Sequence, residues 1–164
     1  MDVKELLLSQ WDSCMDQEDW FLPLEDALKD VTAEQSVWKP ADGPANSIRE
    51  TVQHLLFYDK RLLLRVKGQS EGLPEAEDNN GTFAYDDASE AGWEAAKNEL
   101  YAAHRELSSI LAKAAPEDLS RPIPDEKSLA EAIRSLAMHD AYHIGQIVLL
   151  SKLQGAWPAT RSFD

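Results

Sequence analysis

The sequence predicts an all-α protein, a single domain over residues 1–164 that folds as a four-helix bundle. Four segments carry apolar residues at alternating spacings of three and four, which is typical of a helix with one face turned toward a core. No segment of four to eight residues shows the alternation of a β-strand. A chain of 164 residues with 43 % hydrophobic residues is long enough to bury one core. No internal repeat indicates a second domain.

The first two predicted helices cover residues 3–29 and 47–67. Pro23 lies inside the first of them, so we expect a kink or a restart at that point. The second begins at a capping box, in which Ser47 and Glu50 are three residues apart. It ends near Gly68. Its core-facing residues are predicted to be Ile48, Val52, Leu55, Leu62 and Val66.

The third and fourth predicted helices cover residues 87–113 and 129–154. The third is expected to open around Asp87, with Glu90 three residues later. The fourth has its own capping box, Ser128 and Glu131, and stops at Gly155.

The link between the second and third helices, residues 67–86, is rich in glycine and acidic residues. About eighteen extended residues span roughly 60 Å, whereas a bundle helix is about 30 Å long. The link can therefore return to the end of the bundle where it started, which places the second and third helices parallel.

The charge of the chain excludes several classes of partner. Its formal net charge is −14, which opposes binding to nucleic-acid phosphates and to anionic membrane surfaces. No apolar run approaches the roughly 20 residues that cross a bilayer. The first residues lack the features of a secretory signal, and a lone cysteine fits a reducing compartment. We expect a cytoplasmic protein that attracts cations.

The fourth helix contains the most informative pattern. Three consecutive positions of its apolar face are polar, namely His139, His143 and Gln146. Burial of such groups costs on the order of 1–3 kcal/mol each unless they find partners. Residues four apart lie on the same face of a helix, so two imidazoles can converge on one metal ion. The competing interpretation is a pair of core histidines that bind other helices or buried water.

A metal site needs more ligands than this pair, because a catalytic zinc has three protein ligands and an open position. His54 and His104 both flank the apolar face of their helices, and spacing alone does not choose between them. Glu50 is a further candidate, although its place in a capping box favours a structural role. Cys14 occupies a core-facing position, where a free cysteine is typically a small buried apolar group.

The segments SIRETVQHLLFYDKRLLLRVKG and LAMHDAYHIGQIVLLSKLQGAWP resemble the DinB-like family of bacterial metal-binding four-helix proteins. The resemblance implies an up-down-down-up bundle with a long link between helices two and three. It also implies that His54, His139 and His143 hold one divalent metal ion. Relatives include thiol S-transferases and isomerases that use bacillithiol or mycothiol, and members are often dimers, so a homodimer is possible here too.

These observations favour a metal-dependent enzyme, a thiol S-transferase or a hydrolase, that acts on a small molecule. Zinc or nickel is the expected metal, with a low-molecular-weight thiol as cosubstrate, and no catalytic side chain is evident. Gln146, Tyr58 and Arg61 are candidates to contact ligand water or substrate. We expect the pocket at the end of the bundle where the chain enters helix two. The alternatives are a metal-binding stress-response protein without turnover and a structural bundle with packed histidines.

Overall fold

A computed structural model describes residues 1–69, 71–124 and 127–157, and within these ranges the chain is helical with no β-strand. One isolated antiparallel bridge joins Pro122 to Ser128 without forming a sheet. The prediction of an all-α protein is therefore confirmed. The described part of the chain forms α1 (Val3–Met15), α2 (Leu24–Leu28), α3 (Ala33–Val37), α4 (Ile48–Val66), α5 (Glu90–Lys113), α6 (Pro116–Leu119) and α7 (Leu129–Leu153).

The prediction of one continuous helix over residues 3–29 is wrong. α1 ends at Met15, and the chain becomes helical again only at α2, for which Pro23 is the N-cap in an extended conformation. Proline fixes its own backbone and lacks an N–H group, so it is tolerated at the start of a helix but not inside one. The predicted restart at Pro23 is thus confirmed. Part of the following link forms a further short helix, α3.

The other three predicted helices correspond to α4, α5 and α7. Both capping boxes are present: Ser47 with Glu50 begins α4, and Ser128 with Glu131 begins α7. The start of α5 differs from the prediction, because Ser89 and not Asp87 is its N-cap. The Asp87 carboxylate instead accepts a hydrogen bond from the Ser89 amide at 2.8 Å, which holds the turn that precedes the helix.

Four long helices surround the core, and each of α1 and α4 packs against both α5 and α7. Trp11 and Trp93 are fully buried, and their indole N–H groups donate to the backbone oxygens of His104 and Val31. Val3 and Leu153, the first residue of α1 and the last of α7, are 62 % and 57 % exposed.

Polar contacts show which residues of neighbouring long helices lie opposite each other. Ion pairs join Lys60 to Glu99 and Lys67 to Glu106, between α4 and α5. Between α1 and α5, Ser108 Oγ donates to Asp12 Oδ1 at 2.8 Å, while Lys4 Nζ lies 3.3 Å from the oxygen of Ala112.

The long link between α4 and α5 is partly structured. It contains a 3₁₀-helix, Asn80–Phe83, that packs against α4 and so brings residues of the link to that helix. None of the described helices combines the length and the apolar character needed to span a bilayer.

Candidate metal centre

Three histidines from two helices converge between α4 and α7. His54 lies on α4, and His139 and His143 lie one turn apart on α7. One ring nitrogen from each lies within 4.8 Å of the other two. The closest pair is His54 Nε2 and His139 Nε2, 3.0 Å apart. His54 and His143 are buried, whereas His139 is partly open to solvent.

The far nitrogen of His54 is fixed by the link. Its Nδ1 lies 2.5 Å from Thr82 Oγ1 in the 3₁₀-helix. The single hydroxyl proton of Thr82 is donated to the backbone oxygen of Asn79 at 2.6 Å, so Thr82 accepts from His54 Nδ1–H. This assignment leaves the Nε2 of His54 unprotonated and available as a ligand.

The two histidines of α7 are held in the same way. His143 Nδ1 lies 2.8 Å from Gln146 Oε1, and His139 Nδ1 lies 3.2 Å from Asp140 Oδ1. An oxygen acceptor on Nδ1 places the proton there and directs the lone pair of Nε2 away from it. All three rings therefore have an oxygen partner on Nδ1 that favours Nε2 as the metal-binding atom.

This donor set fits a divalent metal ion. The Nε2 atoms of His54 and His139 face each other at 3.0 Å, a separation that requires either a proton or a cation between them, since two bare lone pairs repel. At a tetrahedral centre with bonds of about 2.0–2.1 Å, ligand nitrogens are roughly 3.3 Å apart, close to the observed separation. Burial, together with the neighbouring His143 and His139, lowers the pKa of His54 to about 3. Burial also lowers the pKa values of His139 and His143, so the rings are neutral at pH 7, the form that coordinates metals.

Aromatic rings enclose the cluster. Phe83, from the link, stacks on His54 with ring centroids 4.0 Å apart and planes 8° from parallel. Tyr58 presents its edge to both His54 and His139, and its hydroxyl donates to Asn79 Oδ1 at 3.2 Å. The link thus covers the α4 side of the histidine cluster with Phe83 and Thr82.

A groove of about 350 Å³ leads away from the cluster between α4 and α7. Of the three histidines, His139 is the one that lines it. The expectation of a pocket at the end where the chain enters α4 is wrong, because the groove extends toward the end of α4 and the start of α7. The described residues that line it are Tyr58, Arg61, Leu62, Arg65, Lys127, Glu131, Ala132, Ser135, Leu136 and His139.

The remaining candidates have other partners. Glu50 belongs to the capping box of α4 and pairs with Lys39 Nζ at 2.6 Å, as its position in the sequence favoured. Gln146, a candidate to contact ligand water or substrate, has its Oε1 2.8 Å from Nδ1 of the metal-ligand candidate His143, on the same helix. Arg61 donates from Nη1 to the oxygen of Pro74 at 2.7 Å while lining the groove.

His104 and Cys14 are buried away from the cluster. His104 stacks on Trp11 with ring centroids 3.9 Å apart, and burial lowers its pKa to about 3. Cys14 is 2 % exposed, and its sulfur lies 3.3 Å from the oxygen of Ala137. Burial, with Asp140 and Asp59 nearby, raises the pKa of the thiol to about 12. Cys14 therefore remains a neutral thiol and is no nucleophile.

Sequence reasoning missed two buried carboxyl groups, Asp59 and Asp140, and Thr82. Asp59 is fully buried, and burial with the neighbouring Asp140 raises its pKa well above the usual range. Burial raises the pKa of Asp140 too. Asp59 follows His54 by five positions and Asp140 follows His139 directly, a proximity that could have marked them. Thr82 had no such signal, because only the folded link brings it to His54.

A comparison with protein families now adds to this geometry. Residues 23–147 match the DinB superfamily, a stretch that covers more than half of the chain and contains all three histidines of the cluster. The chain belongs to the DinB superfamily. The predicted family is thereby confirmed. α1 lies outside the matched residues, and neither a curated protein nor a solved structure matches the chain.

Proposed function

We propose that this DinB superfamily protein binds one divalent metal ion through His54, His139 and His143 and uses it to activate a low-molecular-weight thiol. In the proposed reaction the thiolate sulfur forms a bond to an electrophilic carbon of a small molecule, the bond from that carbon to its leaving group breaks, and the thiol proton passes to solvent. The observation that carries the proposal is the set of three Nδ1 contacts, to Thr82, Asp140 and Gln146, which favour Nε2 as the free nitrogen on each ring.

Three neutral imidazoles leave the charge of a divalent ion uncompensated. Such an ion, when bound, stabilises an anionic thiolate or lowers the pKa of a water molecule. Imidazole ligands suit zinc and nickel, the metals that we propose here. Hydrolysis is the second candidate reaction, since water and a thiol can use the same position. The partly exposed His139 supports access for either one.

The residues of the chain have defined parts in this proposal. Thr82, Asp140 and Gln146 orient the three rings. Phe83 and Tyr58 exclude water from the α4 side of the cluster, while the groove at His139 admits a substrate. A groove of about 350 Å³ is of the size that holds a small molecule and is too small for a polymer.

We also propose the up-down-down-up order of a four-helix bundle. The pairs Lys60–Glu99 and Lys67–Glu106 advance together, which supports parallel α4 and α5 and a crossover through residues 67–86. The contacts of His54 with His143 and of Tyr58 with His139 support antiparallel α4 and α7. Spin labels at positions 67 and 106 should be close together, whereas labels at 67 and 90 should be more than about 20 Å apart.

Cytoplasmic location remains a proposal that rests on composition. Fractionation of cells that express the full chain would test it, and recovery in a membrane or extracellular fraction would contradict it.

The metal is tested by elemental analysis of protein purified without a nickel resin. We expect about one zinc or nickel ion per chain in the unaltered protein. His54→Ala, His139→Ala and His143→Ala should each lose most of it, because two imidazoles bind far more weakly than three. His104→Phe is the matched control, since the ring there keeps its stack on Trp11 without a nitrogen ligand. Loss of metal in the control, with retention in His54→Ala, would contradict the assignment.

The reaction is tested with the metal-loaded protein. Small thiols and electrophilic acceptors are incubated together, and loss of free thiol is followed with and without a chelator. We expect chelator-sensitive transfer that His143→Ala lacks. Full metal occupancy without transfer or hydrolysis of any acceptor would favour a metal-binding protein that has no turnover.

A further inference from the structure

The groove at His139 differs in charge from the rest of the molecule. The chain has a formal net charge of −14, yet the described residues that line the groove include three cations, Arg61, Arg65 and Lys127, and one carboxylate, Glu131. A concentration of positive charge in a concave surface attracts small anions even when the whole molecule repels them.

Glu131, the single acidic residue among the described lining residues, is engaged elsewhere. Glu131 Oε2 accepts hydrogen bonds from the backbone and the hydroxyl of Ser128, at 3.1 and 2.8 Å, in the capping box of α7. These bonds hold the Glu131 carboxylate at the N-terminus of α7, where the helix dipole also favours a negative charge. Glu131 is therefore positioned as a capping group and not as a partner that neutralises Arg61.

Arg61 is held in place as a binding group would be. Its bond from Nη1 to the oxygen of Pro74, at 2.7 Å, uses one of the five N–H donors of the guanidinium. It also lies 6.0 Å from the ring centre of Phe57. A side chain fixed in this way loses less conformational entropy when an anion binds.

The distance of Arg61 from the histidine cluster follows from its position on α4. Residues 54, 58, 61 and 65 are spaced by four, three and four, so they share one face of α4. A rise of about 1.5 Å per residue puts Arg61 roughly 10 Å along the axis from His54. Lys127 lies just before the start of α7, and Ser135 lies within α7, one turn before His139. The groove thus extends from the histidine cluster at one end to cationic side chains at the other.

We propose that the groove binds a small molecule whose reacting group reaches the histidine cluster while a carboxylate or phosphate group contacts Arg61, in a part of the groove that Arg65 and Lys127 make more positive. This inference names the substrate class for the site and rests on the proposed metal-binding function. The anion, and not the reacting group, would supply the selectivity, because it has to match both the charge and the length of the groove.

The test uses the full chain loaded with Co²⁺, for which thiolate coordination adds an absorption band in the near ultraviolet. The probes are ω-mercaptoalkanoates, ω-mercaptoalkyl phosphates and neutral ω-mercaptoalcohols, each with two to twelve carbons. We expect at least one anionic series to bind about fivefold or more tightly than the alcohols at lengths that span roughly 10 Å. The preference should diminish at 1 M NaCl.

Variants locate the anion. Arg61→Gln should remove most of the preference for the anionic probes and Lys127→Gln a smaller part of it, while the alcohols bind as before. Arg105→Gln is the matched control, because it removes one positive charge from α5, where Arg105 pairs with Glu25, and should retain the preference. The dependence of affinity on the chain length of the probes, measured with the unaltered protein, tests the anion site without any variant.

Two outcomes would overturn the inference and can be told apart. Equal binding of anionic and neutral thiols at every length, with Co²⁺ on the histidines, would overturn the anion site and leave the metal site intact. Absence of the Co²⁺ spectrum altogether would overturn the proposed function, and the inference with it.

Discussion

Each histidine of the cluster has one side-chain oxygen within hydrogen-bond distance of its Nδ1 atom. The three oxygens come from different kinds of side chain, a hydroxyl in the link, a carboxyl on α7 and an amide on α7. Partners of this kind fix the tautomer and the ring orientation of metal ligands. Thr82 is the most distant of them in sequence and was not found by sequence reasoning.

Replacement of Thr82 tests this dependence. Thr82→Val keeps the shape of the side chain but removes the acceptor for His54 Nδ1–H, so metal affinity should fall about tenfold to a hundredfold. Competition with a chromophoric chelator measures the change. Thr82→Ser, which retains the hydroxyl, should bind metal nearly as the unaltered chain does. Equal affinity of the Val and Ser variants would show that the Thr82 contact has no part in orienting His54.

The buried His104 predicts a pH dependence of stability. Its pKa is about 3 in the folded protein against roughly 6.5 in an unfolded chain, so the unfolded state binds more protons between these values. The free energy of unfolding should therefore fall as the pH drops below about 6.5, by up to about 1.4 kcal/mol per pH unit for this group.

Urea unfolding of the metal-free protein at pH 7, 6 and 5 measures this effect. The free energy of unfolding of His104→Phe should fall less between pH 7 and pH 5 than that of the unaltered chain, because one histidine that is protonated on unfolding is absent. If the two proteins lose stability in parallel, the neutral state of His104 does not contribute.

At the scale of the helices, two glycines inside long helices have opposite surroundings. A Cβ atom at Gly92 of α5 would lie 2.7 Å from the backbone oxygen of Asp87, whereas one at Gly145 of α7 would meet nothing within 4 Å. Helix propensity favours alanine over glycine at both sites by up to about 1 kcal/mol. The turn before α5 therefore requires a glycine at position 92, and nothing comparable applies at position 145.

The two substitutions should change stability in opposite directions. Gly145→Ala should raise the free energy of unfolding by about 0.5–1 kcal/mol. Gly92→Ala should lower it, because the Asp87 backbone has to move. Both are measured by urea unfolding at a concentration where the chain is monomeric. Stabilisation by Gly92→Ala would mean that the Ser89 turn adapts without cost.

For the whole molecule, the surface of α7 bears on the predicted homodimer. Met138, Tyr142 and Leu149 are spaced by four and seven residues, so they share one face of the helix, and each is more than half exposed. An exposed apolar face of this kind is typical of a protein–protein contact. The homodimer itself stays a prediction.

Sedimentation equilibrium of the unaltered protein tests for the dimer, and Leu149→Glu tests the proposed face. We expect a dimer that Leu149→Glu dissociates, because a buried carboxylate at an apolar contact is costly. Leu6→Glu, at an exposed apolar position of α1, should leave the dimer intact. A monomer at all accessible concentrations, or equal effects of the two variants, would contradict an interface on α7.

The sequence by itself determined the all-α class, the extents of α4, α5 and α7 to within a few residues, and the pairing of His139 with His143. These features depend on residues a few positions apart, such as Ser47 with Glu50 and Ser128 with Glu131, so local chemistry specifies them. Residue spacing did not choose between His54 and His104 as the third member, and only the family resemblance favoured His54.

The tertiary structure decided the rest. The contacts that build the site join residues far apart in the chain, 85 positions for His54 with His139 and 28 for His54 with Thr82. Such contacts depend on how the helices pack and where the link returns, which periodicity does not encode. The same reason applies to the direction of the groove and to its cationic lining. The groove arises where α4 and α7 meet, and its described lining combines Arg61 and Arg65 of α4 with Lys127, which precedes α7.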